Sequence, residues 1–267
     1  MSEQRIEAVL FDLGETLLTF GRLDRARLFA EAAHRSYAYL KEQAQPVGSY
    51  GAYRLFYLWG IRWHVLKSWL TGNDFNSLEL LKQYGKRKGF TLTADQWEEL
   101  NWQWYKGLAE AGGAKAGTKD AMQRLEQMGL KLGLLSNTFI HKSCLERHLA
   151  EDGLLEHLPV RLYTYDFPWR KPDVRIFQEA AKAMGIAPQH IIYVGDRIDN
   201  DIEGASKAGM LPVLVKAYTN ENKTIPADVA FIQTITELPE MIKKIACLDD
   251  ANEKTGQAEP VCNSHKG

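Results

Sequence analysis

Three apolar runs, each typical of a buried strand, end in polar residues that could do chemistry. The first run ends at Asp12, the second at Ser136 and Asn137, and the third in GDRIDND, which holds Asp196 and Asp201. Clustered carboxylates repel one another unless they are protonated or bridged by a cation. Mg²⁺ takes oxygen ligands and usually keeps positions for water and substrate phosphate oxygens. These residue types therefore predict a magnesium site in which one aspartate could also act as a nucleophile.

Lys171, in the segment WRKPDVRIF, could bring a positive charge to the same place because it precedes a predicted helix. An ammonium group and the hydroxyl of Ser136 beside a cation suit a phosphoryl group. Asp12 alone would be an ordinary turn residue, and Lys171 alone would be a solvated surface charge. Taken together, these residues predict phosphoryl transfer to an aspartate.

Helical and strand patterns alternate along the second half of the chain. The predicted strands are LKLGLLSN, VRLYTY, HIIYVGD, LPVLV and ADVAFI, and a helical pattern precedes each of the first four. Together with IEAVLF at residues 6–11, they predict an α/β fold with a doubly wound parallel sheet and helices on both faces. Ligands of such sheets bind beyond the carboxyl ends of the strands, where the polar residues above are predicted to meet.

A helical insertion interrupts this alternation at residues 21–108, where four stretches have helical spacing and no strand is evident. Six of the seven tryptophans lie in it, and we expect most of them to be core: Trp59, Trp63, Trp69, Trp97, Trp102 and Trp104. The small-residue stretch at residues 109–117 is predicted to be a linker. The predicted units are a Rossmann-like catalytic core (residues 1–19 plus 110–247), an all-helical domain (20–109) and a disordered polar tail (248–267).

The bulk composition excludes several classes of function. The 267 residues include 33 Lys and Arg against 34 Asp and Glu, so no basic field attracts nucleic acid or an anionic membrane. The three cysteines are widely spaced and form no metal or disulfide pattern, which is typical of a reduced compartment. Neither a signal peptide nor a membrane-length apolar run is evident. We predict a cytoplasmic protein, whose oligomeric state the sequence leaves open.

Four segments in this order resemble the motifs of one known family: FDLGETL, LLSN, RKPD followed by IF, and GDRIDND. They are similar to the four motifs of the haloacid dehalogenase superfamily, and the helical insertion resembles its subclass I cap. The resemblance implies a doubly wound core, a helical cap that closes over the site, and Mg²⁺ as cofactor. It also implies phosphatase activity on a small phosphorylated metabolite through an aspartyl-phosphate.

The resemblance also implies roles for individual residues. Asp12 would be the nucleophile, while Ser136, Asn137 and Lys171 would bind the phosphoryl group, and Lys171 would steady the phospho-aspartate.

The implied magnesium ligands are Asp12, Asp196 and the backbone carbonyl of Gly14. Asp201 would support the metal site without binding the ion directly, or it would orient Lys171.

The sequence departs from the family pattern at Gly14, where the family's phosphatases usually have a second aspartate that serves as general acid and base. General acid–base catalysis is typically worth about 10²–10⁴ in rate. Glu15 is a poor replacement if the chain is extended, because positions 12 and 15 then point to opposite sides. A cap residue or water could serve instead.

Two other functions stay open at this point. A carbon–halogen hydrolase of the same superfamily also lacks the second aspartate and needs no metal, although the acidic residues of GDRIDND would then lack a cation. A catalytically weak relative could instead bind a phosphorylated ligand or a partner protein.

Overall fold

The centre of the molecule is a six-stranded sheet in which every neighbouring pair of strands is parallel. The computed structural model describes residues 5–245, so the predicted tail at 248–267 lies outside the described residues. The strands of this sheet are β1 (Ala8–Phe11), β4 (Lys131–Ser136), β5 (Val160–Tyr163), β6 (Ile191–Gly195), β7 (Leu211–Val215) and β8 (Ala230–Ile232). Their order across the sheet is β5-β4-β1-β6-β7-β8.

Helices cover both faces of the sheet. They are α5 (Thr118–Gln127), α6 (Lys142–Glu151), α7 (Val174–Met184) and α8 (Glu203–Lys207), and residues 238–245 are also helical. The side chains of β1 alternate between the faces: Val9 and Phe11 pack in the cluster that includes α5 and α6, whereas Ala8 and Leu10 pack in the cluster that includes α7. All four are fully buried, as expected of a central parallel strand. The predicted doubly wound α/β fold is confirmed.

The connections reverse direction at β1, which pairs with β4 on one side and with β6 on the other. Asp12 follows β1, Ser136 ends β4, and Asp196 follows β6. Because all three strands are parallel, these residues share the carboxyl edge at the reversal point, where open α/β sheets bind ligands.

The insertion between β1 and β4 contains four helices: α1 (Arg25–Glu42), α2 (Tyr50–Thr71), α3 (Ser77–Arg87) and α4 (Ala94–Ala111). Each begins at a residue whose side chain accepts a hydrogen bond from the first turn: Asp24, Ser49, Asn76 and Thr93. Within residues 20–109, the structure describes no strand, in agreement with the sequence pattern.

A two-stranded antiparallel ribbon joins the insertion to the sheet, where the sequence predicted only a linker. It pairs β2 (Leu18–Thr19) with β3 (Gly113–Ala114), and α4 extends through Ala111. The segment AEA continues the helix because alanine and glutamate are strong helix formers. The linker prediction considered only the small size of these residues and not their helix propensity.

The tryptophans of the insertion divide between core and surface. Trp97 and Trp102 are buried, but Trp59 is 68% exposed and Trp63 is 63% exposed. The expectation that most cap tryptophans are core is therefore wrong for these two, which lie on the outward side of α2. Among the described helices, none is both long enough and apolar enough to cross a membrane.

Candidate active site

The predicted site residues all line one cavity between the carboxyl edge of the sheet and the helical insertion. They are Asp12, Gly14, Ser136, Asn137, Lys171, Asp196 and Asp201. The last residue of β4, Ser136, is buried there. The structure thus brings together residues as far apart along the chain as Asp12 and Asp201.

Lys171 lies at the centre of the hydrogen bonds in this cavity. Its Nζ donates to Asp12 Oδ1 at 2.6 Å, to Asp201 Oδ1 at 2.6 Å and to the hydroxyl oxygen of Tyr193 at 2.8 Å. Burial acts to lower the pKa of Lys171, but the nearby carboxylates of Asp12 and Asp201 outweigh it and the pKa is raised. The ammonium group is therefore charged and points at the oxygen of Asp12.

Asn137 holds the backbone of Lys171. Its Nδ2 donates to the carbonyl oxygen of Lys171 at 2.9 Å, and its Oδ1 accepts from the Lys171 backbone N–H at 2.9 Å. Both ends of the amide are thus engaged with Lys171. This geometry favours a positioning role for Asn137 over the phosphate contact that the sequence predicts.

Asp201 is fixed by three donors. Besides Lys171, the hydroxyl of Tyr193 donates to Oδ1 at 3.1 Å and the backbone N–H of Arg197 donates to Oδ2 at 3.0 Å. A Cβ atom at Gly195 would lie 2.4 Å from the Cβ of Asp201, so this close approach requires glycine. Asp201 belongs to a π-helical turn, Ile198–Ile202, and such turns are frequent at functional sites.

Asp196 is held from the segment after β7. The hydroxyl of Thr219 donates to Asp196 Oδ2, and Asn220 Nδ2 donates to the carbonyl oxygens of Asp196 and Val215, both at 2.8 Å. The sequence analysis did not single out Thr219 and Asn220. Both residues follow β7, a fourth strand that ends at the same edge of the sheet. Their position after a predicted strand could have identified them as candidate site residues.

Tyr193 was also missed. It lies in the middle of β6, is fully buried, and makes two of its polar contacts with the predicted site residues Lys171 and Asp201. A tyrosine within an otherwise aliphatic buried strand needs a partner for its hydroxyl. The need for such a partner could have indicated that Tyr193 contacts polar residues of the site.

Three carboxylates in this cavity lie close enough together to hold a cation. Asp12, Asp196 and Asp201 each offer an oxygen, and these oxygens lie within 4.8 Å of one another. Burial raises the pKa of Asp12 to about 6 and the pKa of Asp196 to about 8. Without a cation the two carboxylates therefore resist ionisation, and a bound cation would favour their ionised forms. Buried, hard oxygen donors of this kind fit Mg²⁺.

The turn after Asp12 differs from the extended chain assumed above. The left-handed residue is Glu15, with φ of 61°, and its Oε1 accepts hydrogen bonds from the backbone N–H groups of Phe20 at 2.9 Å and Gly21 at 3.0 Å. Gly14 itself has no positive φ, and a Cβ atom built on it would meet no atom within 4 Å. Glu15 thus closes the turn that leads into the insertion.

Asp199, the remaining acidic residue of GDRIDND, points away from the cluster. It pairs with Arg197, and its side chain is 53% exposed. Asp173 caps α7 by accepting from the N–H of Arg175 at 3.0 Å.

A model of the haloacid dehalogenase-like hydrolase family matches residues 6–209, which is most of the chain. The chain belongs to the haloacid dehalogenase-like hydrolase family. The predicted family and its hydrolase class are confirmed by this match.

Two relatives of this hydrolase carry the same name, glyceraldehyde 3-phosphate phosphatase. The Methanopyrus kandleri protein is 34% identical over 95 residues, which cover 36% of this chain and 40% of that protein. The Pyrococcus furiosus protein is 26% identical over 253 residues, 90% of this chain and 93% of that protein. The chain spans about half the length of the first curated relatives it matches, with 40%, 57% and 53% of each covered.

A solved structure confirms the fold of this family member. The 2-haloacid dehalogenase from Pseudomonas syringae pv. Tomato DC3000 superposes with a TM-score of 0.58 and 24% identity, covering 90% of this chain and 99% of that one. At this identity the likeness concerns the fold alone.

Proposed function

We propose that this protein is a Mg²⁺-dependent phosphatase of a small phosphorylated metabolite that forms an aspartyl-phosphate on Asp12. The observation that carries the proposal is the ammonium group of Lys171, 2.6 Å from Asp12 Oδ1, beside a cluster of three carboxylates. A nucleophile, a fixed positive charge and a set of oxygen donors are the parts that phosphoryl transfer needs. The phosphatase names of the relatives support the same reaction.

The first step forms a bond between an oxygen of Asp12 and phosphorus. The ester oxygen leaves with the electron pair of the broken bond and takes a proton from water. In the second step, water attacks the phosphorus of the acyl phosphate and loses a proton to the hydroxide left by the first step. The bond between phosphorus and the Asp12 oxygen breaks, so inorganic phosphate leaves and the Asp12 carboxylate is restored. Lys171 offsets negative charge on the phosphoryl oxygens throughout, in a buried place where such an interaction is strong.

Asn137, Tyr193 and Asp201 keep Lys171 in position. Asn137 fixes its backbone, and the hydroxyl of Tyr193 and the carboxylate of Asp201 fix its ammonium group. Asp201 thereby serves the second of the two roles that the family resemblance implies.

The residues that would hold Mg²⁺ are Asp12, Asp196 and the backbone carbonyl of Gly14, with Asp201 beside them. The bound ion would neutralise charge on the phosphoryl oxygens. Thr219 and Asn220 orient Asp196 for this task and so belong to the support of the metal site.

A dehalogenase is the second candidate, because Gly14 lacks the carboxylate that the family's phosphatases use. The buried carboxylates weigh against it, since a metal-independent enzyme would leave Asp12, Asp196 and Asp201 together with only the Lys171 ammonium group to offset their charge.

Phosphate release from para-nitrophenyl phosphate tests the choice. We expect activity with Mg²⁺, loss of activity with a chelator, and recovery when Mg²⁺ is added back. Chloride release from a 2-chloro acid that continues in chelator, without any phosphate release in Mg²⁺, would instead identify a dehalogenase. Absence of both activities would favour a binding protein.

A further inference from the structure

We infer that the substrate is a phosphate ester whose leaving group is uncharged and apolar. The inference rests on the proposed function, because it concerns the part of the same cavity that lies beyond the phosphoryl group. It names a substrate class that the phosphatase names of the relatives do not.

The insertion supplies an apolar wall to this cavity. Within the described part of the chain, the insertion residues that line the cavity are Phe20, Gly21, Leu23, Tyr105 and Leu108, and none of them is charged. Phe20, Leu23 and Leu108 are half-buried, so each keeps apolar surface that a ligand could cover. A cap that selected a carboxylate or an ammonium group would instead present an opposite charge here.

The sheet side continues the apolar wall. Ile140 and Leu145 line the cavity after β4, and the half-exposed ring of Tyr218 lines it after β7. Apolar side chains therefore face the outer cavity from both the insertion and the core.

Three polar groups near this wall already have partners within the protein. The hydroxyl of Tyr105 lies 2.9 Å from Nδ1 of His148, Glu15 accepts two backbone N–H groups, and Arg197 pairs with Asp199. Apart from Tyr218, the other uncharged polar lining residues lie on or after the strands β4, β6 and β7, whose carboxyl ends share the sheet edge with Asp12: Ser136, Asn137, Thr138, Asn200 and Thr219.

A leaving group rich in hydroxyl or carboxylate groups would lose its water against the apolar wall and gain few hydrogen bonds there. Burying polar groups without partners is unfavourable, whereas an apolar group gains by leaving water. In hydrophobic pockets, one methylene group changes specificity by about 10–200-fold. A phenyl group in place of a glycerol group should therefore change kcat/KM by at least about 10².

The test compares 2-phenylethyl phosphate with glycerol 1-phosphate at saturating Mg²⁺. Both esters leave as simple alcohols, so the ratio of kcat/KM reports contacts with the leaving group and not the ease of its departure. We expect at least about a 10²-fold preference for the phenylethyl ester. Equal values, or a preference for glycerol 1-phosphate, would overturn the inference while leaving the phosphatase proposal intact. Failure to hydrolyse these esters and para-nitrophenyl phosphate would overturn both.

Variants of the leucines that line the cavity distinguish loss of contact with the leaving group from a general disturbance of the protein. Leu108→Ser should raise KM for the phenylethyl ester about tenfold and leave KM for glycerol 1-phosphate unchanged. Leu23→Ser serves the same purpose if the Leu108 variant does not fold. The control is Leu55→Ser on the outer side of α2, where the side chain is 61% exposed, and neither KM should change. Unchanged KM for the phenylethyl ester in a folded Leu108 or Leu23 variant would contradict the inference.

Discussion

Gly14 is not demanded by the shape of the turn that contains it. The left-handed conformation falls on Glu15, and a Cβ atom at position 14 would meet nothing within 4 Å. A larger residue could therefore stand there without strain. What the glycine changes is the chemistry, because it removes a carboxylate from the position two residues after Asp12.

Gly14→Asp should restore the missing acid and base and raise the rate of hydrolysis. The gain should be largest for simple alkyl phosphates, up to about 10²–10⁴, because their leaving groups most need a proton. Steady-state hydrolysis of an alkyl and an aryl phosphate by wild type and variant measures this. Gly14→Asn is the matched control, since it has similar size but no carboxyl group, and it should bring no gain.

Glu15→Gln tests whether Glu15, and not an absent carboxylate at position 14, accounts for general acid catalysis. The glutamine keeps an oxygen that can accept from Phe20 and Gly21, so we expect the turn and the activity to survive. Suppose instead that this variant loses activity and that Gly14→Asp gains nothing. Glu15 would then be the general acid, and the account of Gly14 would be wrong.

At the scale of elements, strand and helix patterns predicted the sheet and the four-helix insertion because both periodicities are strong. Asp12, Ser136 and Asp196 could be placed because parallel strands end at one edge. Sequence could not predict that the Asn137 side chain makes two hydrogen bonds with the backbone of Lys171. The two residues are far apart along the chain, and no sequence pattern gives the direction of a side chain in a loop. The positive φ of Glu15 was not predicted because the adjacent Gly14 was the more obvious turn residue.

The segment between α2 and α3 is joined to the core by Asp74. Its Oδ1 accepts from Arg170 Nη1 at 2.9 Å and from Ser68 Oγ at 3.1 Å, and its Oδ2 accepts from the hydroxyl of Thr164. The Asp74 side chain is only 6% exposed, whereas that of Arg170 is 28% exposed. Removing Arg170 would therefore leave this buried carboxylate with only the hydroxyl groups of Ser68 and Thr164 as partners among the residues that the structure describes.

Arg170→Ala should lower the free energy of unfolding by about 1.5–3 kcal/mol, as for a hydrogen bond to a charged group. Urea denaturation measures the loss. The control is Arg27→Ala, which removes an exposed pair with Glu31 on α1 and should cost no more than about 1 kcal/mol. Equal losses in the two variants would show that the contact between Arg170 and Asp74 stabilises the folded protein no more than an exposed ion pair does.

At the scale of the whole molecule, the chain has almost balanced charge, but three aspartates of the candidate site are buried close together. Carboxylate oxygens of Asp12, Asp196 and Asp201 lie within 4.8 Å of one another, and Lys171 pairs with Asp12 and Asp201. Folding brings these like charges together, so a cation that binds only the folded protein should stabilise it by mass action.

Mg²⁺ should accordingly raise the melting temperature, with a gain of about 2.7 kcal/mol when its concentration is a hundred times its dissociation constant. Thermal unfolding with Mg²⁺ or with chelator measures the shift. Asp196→Asn should abolish most of it, whereas Asp199→Asn, at an exposed position in the same turn, should keep it. A shift that survives in the Asp196 variant would place the ion elsewhere.

The phosphoryl group on Asp12 is the central claim, and Gly14 makes it accessible to direct measurement. Since no carboxylate at position 14 assists water, hydrolysis of the aspartyl-phosphate should be slow and the intermediate should accumulate. The decisive measurement is peptide mass spectrometry of protein quenched in acid during turnover of an aryl phosphate with Mg²⁺. We predict a burst of leaving group and a phosphoryl adduct on the peptide that contains Asp12, both lost in Asp12→Asn. Sustained turnover by Asp12→Asn, or an adduct on another residue, would contradict the account.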